Sequence, residues 1–446
     1  MENGRRRTKG LSILALATIV VAGSISVIPA FPRATDRTEG RCTELLDCYP
    51  VLFIESGLPT NSSWQVSLAG QVESSQGTTI LFWTPKGHFS YIVSDSSQGG
   101  PNERSGTITV DSSNPISVSR TIDLGSTLAK NGKAPDPAGI AFDPRNGYIY
   151  VASPELNTLM IINGSSIIGS IRFNSTTVIN GFNITATPYE LAYNPVNGYM
   201  YMTAANSSMV YVINGTNLVS TVPLITPGAL SNVTSSVTNG SYGLSFDPAN
   251  GYVYVTQPLA HSVAVIDNLQ VTTTISLGNN AYPANIAYDP SNAELFITDF
   301  ESNKITAIKD FSVVGSVYIG NCSSSYGVTY IPSETTMLAT IPKSGVVFFN
   351  NLTGAGSKVD IPEAWTASYD QGNRLVYVAA GYGESDNSVY VVNGSRIIMK
   401  IVVGTEPWAS AYDPLTGYMY TTNHGSSSIS MISSGILVAI HFSSHG

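Results

Sequence analysis

The chain has 446 residues, enough to bury two separate cores, and 43% of them are hydrophobic. Only 11% are charged, against about 25% in ordinary soluble proteins, so Ser, Thr, Asn and Gly must carry the surface. The net charge of −9 excludes the basic footprint of a nucleic-acid binder.

The opening MENGRRRTKG holds four basic side chains, and Leu11 to Phe31 then runs for about twenty mostly apolar residues without a charge. This is an export signal over residues 1–31. Small residues at Ala22, Gly23, Ser24 and Ser26 suit cleavage, while the length also suits an uncleaved membrane anchor; both remain open. In either case the basic end stays cytoplasmic and the rest of the chain lies outside, extracellular or on the cell surface. Without residues 1–31 the balance is 17 basic against 29 acidic side chains, a net charge near −12. A linker, 32–49, follows. It contains Cys42 and Cys48, candidates for a disulfide that an exported location favours, and leaves Cys322 alone.

Residues 50–125 lack the repeat found further on and offer five short strands: Val51 to Ile54, Trp64 to Leu68, Thr79 to Trp83, Phe89 to Val93 and Gly106 to Val110. A small β-sandwich domain is expected. The spelling FIESGLPTNSSWQVSLAG followed by TTILFWTPKGHFSYIV is similar to a β-sandwich module recurring in secreted, thermopsin-like proteins of acidophilic archaea. That resemblance implies an accessory extracellular domain without catalysis.

From residue 126 to 446 one motif dominates. FDPRNGYIYVAS at Phe142 returns from Tyr193, Phe246, Tyr288, Tyr330, Tyr369 and Tyr412, with anchors at Asp143, Asn194, Asp247, Asp289, Ile331, Asp370 and Asp413. The anchors are 51, 53, 42, 42, 39 and 43 residues apart, a period that indicates a propeller or a solenoid. Within each copy a strand, a D-P-x-x-G turn and a second strand are followed by two more strands, as in Leu159 to Ile162 and Ile167 to Phe173. Asp accepts a backbone hydrogen bond in such a turn, Pro sets φ and Gly supplies a positive φ. No helical spacing appears, so the expected fold is all-β: a seven-bladed β-propeller of four-stranded antiparallel blades behind the sandwich.

The spelling NGYVYVTQ with HSVAVID resembles the YVTN family of seven-bladed β-propellers, known from archaeal surface proteins. The resemblance covers about two thirds of the chain, with blade five, Ile331 in place of Asp and no turn Gly, departing most. Ring closure has two readings, because RTIDLG at Arg120 resembles TTISLG at Thr273 while a last strand is available from Ile436 to Phe442. Either the early strand joins blade seven as a latch, or it finishes the preceding domain and the ring closes between intact blades. The second is preferred.

Eleven N-x-S/T triplets make candidate glycosylation sites: Asn61, Asn163, Asn174, Asn183, Asn206, Asn214, Asn232, Asn239, Asn321, Asn351 and Asn393. A chain rich in these residues generates such triplets by chance, and the Asn-Gly pairs at 163, 214 and 393 also suit turns. Catalytic signatures do not stand out. The five histidines lie in unrelated positions of their repeats, and no metal or other cofactor is expected. The repeated aspartates are explained by their turns, and Glu384 to Asn387 lacks the spaced ligands of a calcium loop.

One constellation remains. Five residues before the anchors stand Ala138, Tyr189, Tyr242, Ala284, Tyr326, Trp365 and Trp408, where each first strand begins. Ten residues after them come Ser153, Ala204, Gln257, Asp299, Ile341, Ala380 and Asn423, with Glu190 and His424 alongside. Both positions belong to one mouth of the channel, where aromatic planes with amide and carboxylate partners suit a sugar or an extended peptide. The plain alternative is that the aromatics plug the channel. The expected function is therefore non-enzymatic binding of a surface glycan or protein. An enzyme of lactone hydrolase or lyase type, using His424, Asp299 and Glu190, and a purely structural envelope component stand as alternatives.

Overall fold

The computed structural model describes residues 49–441 except 57, 60–61, 77–78, 96–102, 111–115, 129–132, 174–176, 180–181, 185, 225–239, 321–323, 351, 353, 382, 384 and 434. The export segment, most of the linker, all three cysteines and the triplets at Asn61, Asn174, Asn232, Asn239, Asn321 and Asn351 lie outside the described residues. So does the side chain of Asn183.

The seven copies of the motif each build one four-stranded antiparallel sheet. Blade one comprises Ile140–Asp143, Tyr148–Ser153, Thr158–Asn163 and Ser166–Arg172. First strands of successive blades lie side by side, and Pro407–Asp413 of blade seven lies against Ile140–Asp143, so the blades form a closed ring. Second and third strands are buried along almost their whole length, whereas fourth strands alternate between exposed and partly buried residues, as along Ser166–Arg172. The chain thus places its continuous apolar runs between blades and its half-polar runs on the rim.

The turn chemistry is as the residues require. Asp143 Oδ1 accepts from Arg145 N at 2.9 Å, and the same bond recurs at Asp247, Asp289, Asp370 and Asp413. Asn146 then donates through Nδ2 to Tyr150 Oη at 3.0 Å, and that hydroxyl donates to the Gly215 carbonyl of blade two at 3.0 Å. Tyr201 reaches Asn268 of blade three and Tyr420 reaches Gly164 of blade one in the same way. Blade five has Leu338 where this tyrosine would stand; there Glu334 Oε1 accepts from Gly394 N of blade six at 3.1 Å. The anomalous copy keeps the inter-blade contact by another group.

Ring closure corrects the preferred reading. Val118–Asp123 is the fourth strand of blade seven, paired from Ser428↔Asp123 to Ile432↔Val118. Ile436–His441 leaves the propeller and pairs in parallel with Tyr49–Ser56, from Val51↔Ile436 to Ser56↔His441. Hydropathy gives the reason. Val118–Asp123 is mostly exposed with one buried residue, Ile122, next to its end, as Gln270–Ser276 of blade three is with Ile275. ILVAIH is too apolar for a rim, and its Ile440 is buried in the other core.

That other core belongs to a β-sandwich. One sheet orders Ile436–His441, Tyr49–Ser56 and Thr79–Thr84; the second orders Gln71–Ser75, Trp64–Leu68, Gly87–Asp95 and Glu103–Val110. Gln71–Ser75 is an additional strand, a polar edge whose single apolar residue, Val72, gives no hydrophobic alternation to read in the sequence. Trp64, Phe53 and Phe82 fill the space between the sheets, with Phe53 edge-on to Phe82 at 5.8 Å and to Tyr91 at 5.0 Å. The boundary at 125 is likewise corrected: 118–123 serves the ring, and 436–441 serves the sandwich.

Contacts fix the sandwich to blades six and seven. Trp83 packs beside Ile116, Leu375, Tyr377 and Met419. In the first turn of blade six, a Cβ on Gly372 would meet Tyr412 Oη at 2.1 Å and Leu52 of the sandwich at 3.0 Å. This close approach explains why that turn reads D-Q-G-N. It also places the sandwich on the side of the first turns, away from the loops that enter the first strands.

Every blade has a register shift between its third and fourth strands, at Ile161/Ile162 in blade one and Ala307/Ile308 in blade four, and also at Met431/Ile432 against the latch strand. An extra residue on an outer strand bends it and spoils its edge for further pairing.

Two of the four tryptophans, Trp64 and Trp83, report on the sandwich, and Trp365 and Trp408 on the propeller. Deleting residues 435–446 should abolish the near-ultraviolet signal of the sandwich while the ring, closed by 118–123, unfolds at nearly its original urea midpoint. Simultaneous collapse of both signals would show that the C-terminal strand is needed by the propeller as well.

Candidate functional site

The loops that enter first strands and leave second strands share the mouth. Five predicted aromatics meet there. Tyr189 lies edge-on to Tyr242 at 5.0 Å, and its hydroxyl is 2.7 Å from that of Tyr326. Tyr326 stacks on Trp365 with centroids 3.9 Å apart and planes 19° apart. Trp365 meets Trp408 at 4.8 Å, and Trp408 meets His424 at 4.9 Å. Phe300, absent from the expected set, stands edge-on to both Tyr326 and Trp365. Tyr326 and Trp365 are 4% and 6% exposed, so they form a buried floor; Tyr189, Tyr242, Phe300, Trp408 and His424 are half-buried around it.

The backbone beneath is held by one repeated device. Thr203 Oγ1 donates to the Tyr242 carbonyl at 2.6 Å, Thr256 to Ala284 at 2.8 Å, Thr340 to Trp365 at 2.5 Å and Thr422 to Ala138 at 2.8 Å; Thr298 donates to Tyr326. Each bond crosses from one blade to the next. Where the repeat has Ala379, Thr366 donates to Trp408 at 2.6 Å instead, and where it has Ala152, Gly139 N donates to Tyr189 at 2.9 Å. All seven mouth carbonyls are therefore engaged. Gly139 allows the approach, since a Cβ there would stand 2.1 Å from the Tyr189 oxygen.

Of the polar residues ten after the anchors, Gln257 and Asp299 are taken up by their own loops, which corrects the expectation for them, whereas Asn423 keeps a buried Oδ1 without a protein hydrogen-bond partner. Asp299 accepts from Tyr282 N at 3.2 Å and Glu301 N at 3.0 Å; Asn423 Nδ2 donates to Ser428 and Ser430; Gln257 accepts from Ser262 at 3.4 Å. All three are buried and serve their own loops. Strand alternation accounts for this: position ten points to the side of the strand opposite position nine. Phe300 and His424 come directly after position ten, in the turn that leaves the second strand, and it is that turn that brings them to the mouth.

Glu190 is close to Tyr189 and Tyr326, and burial pushes its carboxyl up to about 7 against the lowering effect of the Leu191 N–H. Burial also drives the Tyr189 and Tyr326 hydroxyls upward. Among the described residues, Trp408 Nε1 and His424 Nδ1 are buried atoms with no protein hydrogen-bond partner, and a buried polar atom of that kind ordinarily finds water or a ligand. No group of His, Cys, Asp and Glu among the described residues has the arrangement of a metal site. In blade six, Asp386 is engaged by Lys400 at 3.1 Å and by Tyr390.

No family model and no curated protein matches the sequence. Solved structures do match the fold. A streptogramin B lyase aligns with 70% of this chain and 97% of its own at 14% identity and a TM-score of 0.57. Virginiamycin B lyase from Staphylococcus aureus aligns with 70% and 98% at 15% identity and 0.57. A chain of the mitotic checkpoint complex aligns with 74% and 95% at 11% identity and 0.54. At such identities the likeness is one of fold, and the fold is the β-propeller.

Because the folded Glu190 holds its proton more tightly than an exposed glutamate, its stabilising contribution is complete below the ordinary carboxylate range and lost as pH rises through about 7. The urea midpoint should fall between pH 5 and pH 8, and Glu190→Gln should flatten that fall and gain on the order of 2 kcal/mol at pH 8. An unchanged pH profile in the variant would assign the dependence elsewhere. Thr422→Val, which removes one inter-blade donor while keeping the volume, should cost about 1–2 kcal/mol in the same measurement.

Proposed function

We propose that this is an exported surface propeller that binds a glycan or protein chain at its mouth and performs no chemistry there. The observation that carries this reading is the layered aromatic group: a buried Tyr326 and Trp365 floor bearing half-exposed Tyr189, Tyr242, Phe300 and Trp408. Rigid aromatic surface with a polar edge suits recognition, because it offers large contact area at little conformational cost. The sandwich is fixed on the opposite side, beside Gly372, so it leaves the mouth uncovered. The export segment, the YVTN resemblance to archaeal surface proteins and the thermopsin-like sandwich spelling support a cell-surface setting. An N-terminal anchor, if retained, would attach the protein through the sandwich side.

The enzyme reading loses its three candidate groups to separate environments. Asp299 serves a loop, His424 lies against Trp408, and Glu190 lies near the tyrosine pair. The two lyases among the fold matches supply no argument for chemistry in this chain.

Glycan-array and surface-protein pull-down measurements on the full exported chain should show a ligand lost, by tenfold or more (about 1.4 kcal/mol), in Trp408→Ala and Tyr242→Ala. Leu415→Ser, on an exposed turn of the other face, should bind normally. Equal binding by all three variants would remove the mouth from consideration.

A further inference from the structure

On the face opposite the mouth, the first turn of blade one and the last turn of blade two border an open, shallow cleft of about 460 Å³. Its walls include Arg145, Asn146 and Tyr148 on one side and the consecutive Asn214, Gly215 and Thr216 on the other. Those last three residues are an N-x-T triplet. We propose that Asn214 carries an N-linked saccharide whose first sugar residues lie in this cleft.

The local geometry favours modification. Asn214 ends the third strand of blade two and is exposed, with Gly215 at φ +57° turning the chain into Asn217–Pro223. The bond made by this turn, from Tyr150 Oη to Gly215, uses a main-chain carbonyl and not the Asn214 side chain. A saccharide leaving the amide nitrogen would face polar groups. Arg145 lies folded over Gly198, where a Cβ would stand 1.3 Å from its guanidinium, and Tyr148 presents a partly exposed ring. A guanidinium, amides and an aromatic edge are what hydroxyl-rich rings require.

The other described triplets differ. Asn206 Oδ1 accepts from Thr187 N at 2.8 Å and is tied into the mouth. Asn393 precedes Gly394, whose N–H is capped by Glu334 of the neighbouring blade. Asn163 occupies the equivalent turn of blade one, but the facing turn of blade seven offers Leu415 and Thr416 where Arg145 and Asn146 face Asn214. The same turn chemistry thus produces three Asn-Gly triplets, of which Asn214 is the one beside the polar cleft.

The inference rests on the export reading but not on binding at the mouth. The full chain, secreted behind a host leader in cells that perform N-glycosylation, tests it whether or not its own N-terminal segment directs export. Glycopeptide mapping should find a saccharide on Asn214 that disappears in both Asn214→Gln and Thr216→Ala. Arg145 should react with phenylglyoxal several-fold more slowly in the glycosylated protein than in Thr216→Ala. An unmodified Asn214 in the secreted protein would overturn the proposal, and so would a saccharide on Asn214 that leaves Arg145 reactivity unchanged.

Discussion

The hydrogen bonds that run from one blade into the mouth carbonyl of the next are the constraint on which the structure depends. A ring of sheets has no single core; each interface must hold the angle of its neighbour, and an error in one accumulates around the circle. Threonine hydroxyls on second strands meet this need in five blades, and Thr366 and the Gly139 amide meet it in the other two. Because these residues bind the carbonyls of Tyr242, Tyr326, Trp365 and Trp408, the same bonds that set blade spacing also position the aromatic group. Architecture and aromatic mouth share one set of contacts.

The exchange of terminal strands extends this coupling to the second unit. Val118–Asp123 closes the ring, and Ile436–His441 completes the sandwich, so neither unit draws all its strands from one continuous stretch. The parallel pairing of Tyr49–Ser56 with Ile436–His441 has the entire propeller as its crossover. Trp83 and Leu52 then pack on blades six and seven, and rotation of one unit against the other would break these side-chain contacts.

Much of this was legible in the sequence because turns and strands repeat. The D-P-x-N-G-Y spelling states its own hydrogen bonds, and five aromatics at one repeat position did meet in space. Closure was not legible from similarity alone, since both candidate strands looked like β-structure; it depended on which could tolerate a rim, where the apolar ILVAIH fits poorly. The position ten after each anchor was misread because a list of residue types ignores the alternation of side chains along a strand. Asp299 and Gln257 look available in sequence and are consumed in space. The threonine one residue earlier was visible in five copies, yet its role needs the neighbouring blade, which no single repeat contains.

The bulge carried by every outer strand has a consequence for life at high density. Seven rims facing outward would otherwise be seven templates on which adjacent copies could extend their sheets into a fused lattice. With each rim bent out of register, molecules crowded together can touch through side chains and still separate. Such an assembly would remain a population of separate molecules and not a cross-linked fabric.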